Sequence, residues 1–283
     1  MQRIVVTGGS GKLGRACVRD LLDHGYTVIN ADMAPPKEQL CPFVQLDLEN
    51  LAQTMEVFSG RDWGHQRGVD AVVHLAAIPM PGVQPNETAF RTNTLSTYNV
   101  FEATRRLRID NVVWASSETL LGLPFDIPPP YVPIDEECEA RPETAYSLSK
   151  LMGERMAEQY CRWDPSRKIV GLRFSNVMEP DEYKQFPSFE RDPGSRKFNL
   201  WGYIDARDGA QAVRKALLSD IKGSDVFIIA NADTVMCRPN SELVSEFFPG
   251  VTLKSGTAAN ATLLSIEKAK RILGYEPQFT WRG

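Results

Sequence analysis

Several features are scarce in this sequence, and each scarcity removes a class of function. Basic residues are outnumbered, 32 Lys and Arg against 36 Asp and Glu, for a net charge of −4 and a pI near 5.6. No polybasic run is present, whereas a nucleic-acid binder ordinarily presents a basic face. No apolar stretch approaches the roughly 20 residues that cross a bilayer. An apolar strand is expected to begin already at Arg3, so no secretory leader is expected. The five cysteines, Cys17, Cys41, Cys138, Cys161 and Cys237, are odd in number, scattered, and form no CxxC pair. Neither a disulfide framework nor a zinc site is expected from them. The three histidines, His24, His65 and His74, are equally dispersed. These absences lead to the expectation of a cytoplasmic protein with no metal, nucleic-acid or membrane partner.

What is present is concentrated at the beginning. Ile4, Val5 and Val6 run into Gly8, Gly11 and Gly14, three residues apart, and then into a helix-compatible segment, Arg15 to Leu22. Glycine serves such a turn because the backbone must take dihedrals closed to other residues and must approach a ligand without a Cβ in the way. The free N–H groups and dipole at the start of the following helix favour an anion. Strand, glycine turn and helix together predict a dinucleotide site, with Lys12 and Leu13 lying inside the turn.

Short apolar runs then alternate with helical patterns. Strands are expected at Tyr26–Ala31, Phe43–Leu46, Val69–Leu75, Asn111–Ala115, Lys168–Leu172 and Val226–Ile229, with helices at Leu51–Phe58 and Glu87–Leu107. That alternation predicts an α/β fold, a doubly wound parallel sheet of Rossmann type covered on both faces. At 283 residues the chain has room for a second lobe. The expected division is a cofactor domain over 1–173 and a substrate lobe over 174–283, with a late strand and helices returning to the first. Leu123–Pro142 and Met178–Lys197, rich in proline, read as long irregular loops flanking the substrate. Asp32 ends the second strand at about the distance past the glycines where an acid meets the adenosine ribose. A carboxylate there repels a 2′-phosphate, so NAD is favoured over NADP, although Lys12 and Lys37 leave NADP open.

The run TGGSGKLG, the pair Asp47-Leu48, HLAA at His74–Ala77, Asn93, Ser116-Ser117 and Tyr146-Ser-Leu-Ser-Lys150 occur in an order that resembles the extended short-chain dehydrogenases/reductases. That group includes sugar-nucleotide epimerases, dehydratases and uronate dehydrogenase. The likeness continues through RFSNVMEP, YIDARDGAQA and the tail SIEKAKRILGYEP. It implies that Asp47 and Leu48 frame the adenine, that Leu75, Ala76 and Ala77 line the cofactor cleft, and that Asn93 touches the cofactor. Phe174, with Gly8, Gly11, Lys12, Leu13, Gly14, Asp32, Tyr146 and Lys150, completes the implied cofactor contacts. Two departures stand out: Ser96 where the family usually has glycine, and Leu121 where it usually has an aromatic. Leu75–Ala77 also reads as plain strand core.

Ser117, Tyr146 and Lys150 carry the chemistry that the resemblance implies. Tyr146 and Lys150 are four apart and share a helix face if a helix begins near Pro142. A free tyrosine has a pKa of about 10; a nearby ammonium and an oxidised nicotinamide favour its phenolate. Tyr146 is then general base in oxidation and general acid in reduction, while Ser117 holds the substrate oxygen. The expected substrate is a sugar or sugar-derived hydroxyl, and the short lobe favours a free monosaccharide. Arg173, Ser175, Asn176, Tyr183, Phe186, Arg196, Trp201 and Tyr203 are candidate lining. An NDP-sugar epimerase or dehydratase, or a cofactor-sensing regulator without turnover, remains an alternative. The family implies a homodimer through Glu87–Leu107 and Tyr146–Tyr160, with Leu95, Val100, Leu151 and Met156 as a possible seam.

Overall fold

The computed structural model describes residues 2–60 and 68–282; His65 lies outside them. In chain order the strands are β1 (Arg3–Thr7), β2 (Thr27–Asp32), β3 (Phe43–Gln45), β4 (Ala71–His74), β5 (Asn111–Ser117), β6 (Tyr131–Val132), β7 (Lys168–Phe174), β8 (Val177–Met178), β9 (Ile204–Asp205), β10 (Gly223–Ile229) and β11 (Thr252–Leu253). The helices are α1 (Lys12–Asp23), α2 (Leu51–Ser59), α3 (Asn86–Leu107), α4 (Ala145–Trp163), α5 (Phe186–Arg191), α6 (Ala206–Leu218), α7 (Asn240–Phe247) and α8 (Glu267–Leu273). Seven strands form one sheet in the order β10-β7-β5-β4-β1-β2-β3, every pair parallel. The chain order reverses between β1 and β4, and open α/β sheets bind ligands at such a reversal, outside the carboxyl ends of the strands.

Alternation along each strand supplies two cores. Ile4 and Val6 of β1 join one cluster with Cys17, Val18 and Leu21 of α1 and Val213 and Ala216 of α6. Val5, between them, faces the other cluster, with Phe58 of α2, Phe101 of α3 and Ala157 and Tyr160 of α4. Successive side chains point to opposite faces, so both faces of the sheet require helical cover. Ser96 is buried within an unbroken α3, and Leu121 joins the first core. Val100, offered as part of an intersubunit seam, is buried in the second core instead, and Met156 packs against the same cluster.

The two proline-rich loops are more regular than expected. Pro180 and Pro193 each open a 3-10 turn, Pro180–Gln185 and Pro193–Asn199, and Pro187 sits in the first turn of α5. Proline suits a first helical turn because its missing N–H would have no intrahelical acceptor there. The earlier loop contains β6, which pairs with β11. Likewise α4 begins at Ala145 rather than Pro142. Thr144 Oγ1 accepts from the Ser147 amide at 3.0 Å, and Ser147 Oγ accepts from the Thr144 amide at 2.9 Å, a reciprocal cap that fixes the helix start.

Helix α4 crosses β5 at Gly153. A Cβ there would stand 2.5 Å from the Trp114 indole, which is buried and meets Phe101 edge-on at 5.9 Å. Gly153→Ala is therefore expected to force α4 away from Trp114. Overpacking of this kind costs about 1–3 kcal/mol, readable as a lowered thermal unfolding midpoint.

Candidate active site

The glycine turn is built by contact with its neighbours. Gly8 has φ +73°, and a Cβ on it would lie 2.5 Å from the Ala76 amide nitrogen; both facts exclude a side chain. At Gly14 a Cβ would fall 2.0 Å from the Gly8 carbonyl, so this glycine lets α1 close on the turn. Gly11 differs, because its Cβ would meet only the Gly8 carbonyl, at 3.3 Å. Its bare backbone leaves the mouth of the turn open rather than filling a packing need. Gly11 caps α1 without any side-chain hydrogen bond, and the first turn of the helix carries no acid. The amides of Lys12, Leu13 and Gly14, in the first turn of α1, have no intrahelical acceptor, the kind of helix start at which an anion can bind.

Asp32 lies half-buried at the end of β2. Its carboxylate accepts from the amides of Ser10, at 3.0 Å, and Ala34, at 3.3 Å, and retains lone pairs for ribose hydroxyls. The Lys12 ammonium is committed elsewhere: it donates to both Glu182 oxygens at 2.7 Å and to the Val177 carbonyl at 3.2 Å. Lys37 is exposed. These donors and acceptors fit NAD.

Other expected cofactor residues cluster around the same edge. Leu48 is buried and Asp47 exposed, with Asp47 Oδ1 accepting from the Glu49 amide at 2.9 Å. Leu75, Ala76 and Ala77 follow β4 half-buried. Asn93 clasps the main chain of Ile78 just after them, accepting from its amide at 2.8 Å and donating to its carbonyl at 3.1 Å. His74, under the turn, contacts Thr7 Oγ1 at 2.8 Å and Thr97 Oγ1 at 3.3 Å. Burial first, and the charge of Lys150 second, lower its pKa to about 3, so it is a neutral tether.

Strand β5 runs two residues further than expected and delivers Ser117 to the carboxyl edge, opposite Phe174 of β7. Tyr146 and Lys150 stand on the inward face of α4, both buried. The Lys150 ammonium donates to the Ala115 carbonyl at 2.8 Å and lies 5.7 Å from the centre of the Tyr146 ring. Burial pushes the Tyr146 phenol up to about 12, against a hydrogen bond with Ser117 and with the Glu118 charge adding to the rise. Burial likewise lowers Lys150 to about 8. The three residues meet as the sequence motifs imply, yet the protein alone favours the neutral phenol.

The lobe sorts the proposed substrate lining. Phe186, Trp201 and Tyr203 are fully buried and serve as lobe core, with Tyr203 edge-on to Phe186 at 5.2 Å and to Tyr183 at 5.9 Å. Tyr183 is hydrogen-bonded to Asp205. Arg173 is held by Glu154 through bonds of 2.9 and 2.8 Å. Ser175 and Arg196 lie instead beside Glu118, with Asn199. Glu118 and Asn199 were not anticipated; an acid set between catalytic-motif serines and the apolar pair Leu120-Leu121 was the available signal.

A parallel sheet with this crossover, a glycine turn at its switch point and a Ser-Tyr-Lys cluster at the next strand edges define an extended short-chain dehydrogenase/reductase. The chain belongs to the NAD dependent epimerase/dehydratase family, whose pattern matches residues 4–230. It is 28% identical over 245 residues to an L-arabinose 1-dehydrogenase (NAD(P)(+)) of Haloferax volcanii, covering 82% of this chain and 90% of that protein. It is also 28% identical over 221 residues to a bifunctional UDP-glucose and UDP-xylose 4-epimerase of Arabidopsis thaliana, covering 72% of this chain but 59% of the epimerase. A UDP-glucose 4-epimerase from Bifidobacterium longum, solved with NAD+ and UDP, shares the fold, with a TM-score of 0.72, 20% identity, and coverage of 99% of this chain and 95% of that one. The expected fold and an NAD-dependent enzyme of this family agree with these findings. Among the described residues, no helix is long and apolar enough to cross a membrane.

Cofactor selection is testable at Asp32. Hydrogen bonds to a charged group contribute about 1.5–3 kcal/mol, so Asp32→Ala is expected to weaken NAD binding roughly tenfold or more, and NADP binding less. Titration of both cofactors by fluorescence checks this. A wild-type preference for NADP overturns it.

Proposed function

We propose that this protein is an NAD-dependent dehydrogenase that oxidises a free sugar at its anomeric carbon, giving a lactone. The observation that carries the reading is the buried meeting of Ser117, Tyr146 and Lys150 at the carboxyl edge of β5, beside the open glycine turn. Sequence coverage favours the dehydrogenase over the plant epimerase, 90% of the one against 59% of the other, while the fold itself extends over 95% of an epimerase. The lobe aromatics are spent on packing against one another, which suits a small substrate.

In this reading residues 1–173 hold the cofactor and the catalytic cluster. Residues 174–283 form mainly the substrate lobe, with α6, β10 and α8 returning to the sheet. Gly8, Gly11, Lys12, Leu13 and Gly14 receive the pyrophosphate, Asp32 the ribose, and Asp47 and Leu48 the adenine. Leu75, Ala76, Ala77 and Phe174 line the cleft, and Asn93 holds its wall. NAD supplies the hydride acceptor and, oxidised, a positive charge beside Tyr146. Tyr146 Oη takes the proton of the sugar hydroxyl, and Ser117 Oγ holds that same oxygen. Lys150 places an ammonium behind the ring, and together the two positive charges oppose the burial that otherwise keeps the phenol neutral. Five unpaired thiols fit a reducing cytoplasm.

Incubation of excess NAD with the correct aldose is expected to give free NADH in proportion to lactone, followed by absorbance and by NMR of the product. A stereoisomer of a sugar nucleotide, formed without net NADH, would favour the epimerase. Tyr146→Phe should retain cofactor binding and lose about 10²–10⁴-fold in turnover. Wild-type turnover in that variant removes Tyr146 from proton transfer.

The protein is further proposed to dimerise through the outer faces of α3 and α4, where Tyr98 is 41% and Leu148 40% exposed, with half-buried Leu95 and Leu151 beside them. Light scattering at micromolar concentration is expected to give twice the chain mass. A monomer there, or an unchanged dimer in Tyr98→Glu/Leu148→Glu, rules this face out.

A further inference from the structure

One buried carboxylate beside the catalytic serine has no part in the scheme above. Glu118 opens the 3-10 turn Glu118–Leu121 immediately after β5 and is 5% exposed. Its Oε1 accepts from Asn199 Nδ2 at 3.2 Å, while its Oε2 makes no hydrogen bond of good geometry, although the Ser175 hydroxyl, itself unpartnered, and the Asn176 amide lie beside the carboxylate. Asn199 Oδ1 and Arg196 Nε are also unpartnered, although Asn199 is 0% and Arg196 6% exposed. Neither residue is loosely placed. Arg196 Nη2 and Asn199 Nδ2 both donate to the Gly202 carbonyl, at 2.8 and 2.9 Å, and the guanidinium lies 5.1 Å from the Phe189 ring and 5.2 Å from that of Phe198.

A buried polar group left without a hydrogen-bond partner is costly. Three such atoms are gathered around Glu118, the residue that follows Ser117, where a ligand could supply the missing hydrogen bonds. The charge on Glu118 acts on Tyr146, so its field reaches the oxygen where the reaction takes place. We propose that Glu118 is a specificity-determining residue that selects an uncharged, hydroxyl-rich sugar and rejects the corresponding sugar acid. This rests on the dehydrogenase reading given above.

The unpartnered atoms explain the selection. A sugar hydroxyl both donates and accepts, so adjacent hydroxyls can donate to Glu118 Oε2 and Asn199 Oδ1 while accepting from Arg196 Nε. A sugar carboxylate only accepts. It would satisfy Arg196 alone and set a second negative charge against Glu118 in a poorly screened site. Arg196 by itself would attract an acid; the neighbouring Glu118 offsets that attraction.

The charge of Glu118 is also pH-dependent. Burial pushes its carboxyl up to about 7, opposed by the Ser175 hydroxyl, the Asn199 amide, the Arg196 charge and the main-chain amide of Asn176. Arg196, lowered by burial from an ordinary arginine value, and Tyr146, at about 12, keep their protonation through neutrality. His74 is neutral there, at about 3. Lys150, at about 8, loses its charge toward the top of the same window, which also disfavours an anionic substrate, so the part due to Glu118 is the part that Glu118→Gln removes. Discrimination against sugar acids should therefore rise as pH passes upward through about 7 and Glu118 ionises.

The test compares kcat/KM for D-glucose, D-galactose and L-arabinose with D-glucuronate and D-galacturonate, from about pH 6 to about pH 8. Wild type is expected to favour the neutral aldoses, more strongly at the upper end. Glu118→Gln, which keeps the shape and an acceptor for Asn199, is expected to cut the aldose-to-uronate ratio by about tenfold or more and to flatten its pH dependence. Glu118→Asp, which keeps the charge, should preserve both, and it carries the test if Glu118→Gln does not fold. NAD affinity, read by fluorescence, reports whether the cofactor half is intact. A wild type that prefers uronates, or an active Glu118→Gln with an unchanged ratio, overturns the proposal while leaving the dehydrogenase reading in place. NADH released from neither class overturns that reading, and this proposal with it.

Discussion

The geometry of the catalytic edge depends on a buried polar clamp beneath it. Arg173 of β7 donates two bonds to Glu154 of α4, and Glu154 in turn accepts from the Ser116 hydroxyl of β5 at 2.7 Å. Three elements distant in sequence are fixed to one another by three hydrogen bonds. A buried ion pair is poor evidence for net stability, since desolvation offsets much of the attraction. Its directional bonds nevertheless admit one arrangement of α4 over the sheet. Gly153 and Trp114 supply the complementary steric fit. With α4 so placed, the inward face one turn earlier brings Lys150 to the Ala115 carbonyl and Tyr146 to the serine at the end of β5.

The cofactor side is tied to the lobe by charge as well as by chain. Lys12, in the first turn of α1, pairs with Glu182, and Arg15 pairs with Glu179 at 2.8 Å. Both acids sit at the 3-10 turn that begins the lobe. At the other end of α1, Asp20 receives Arg214 of α6 at 2.8 Å. These half-buried pairs are individually modest, but they fix α1 relative to the segment at the start of the proposed substrate lobe. The Lys12 side chain is thereby a strut, which leaves its main-chain amide as the group the proposed pyrophosphate site uses.

Electrostatics in the site run against the chemistry until the cofactor is present. Burial raises Tyr146 and lowers Lys150, and each shift favours the uncharged form. In the proposed mechanism the polypeptide supplies placement, a serine hydrogen bond and one ammonium, and the remaining positive charge would be that of oxidised NAD. That division links proton removal to cofactor binding, because the phenol is a weak acid in the absence of the added charge.

The residues alone determined a good deal. Glycine spacing after an apolar strand, alternation of strand and helix, and an acid at the end of β2 identify the nucleotide half, because backbone freedom and hydrophobic period are local properties. The Tyr146–Lys150 spacing indicated a shared face before any helix was seen. Other features depended on tertiary contact. Prolines that read as breaks begin helical turns, since a first-turn position lacks an intrahelical acceptor whichever residue stands there. Val100 and the aromatic residues Phe186, Trp201 and Tyr203 are apolar whether they face a partner, a sugar or a core, and only packing assigns them to the core. Glu118 could not be distinguished from a solvated acid in the sequence, because its neighbours Ser175, Asn176, Arg196 and Asn199 are brought to it only by folding.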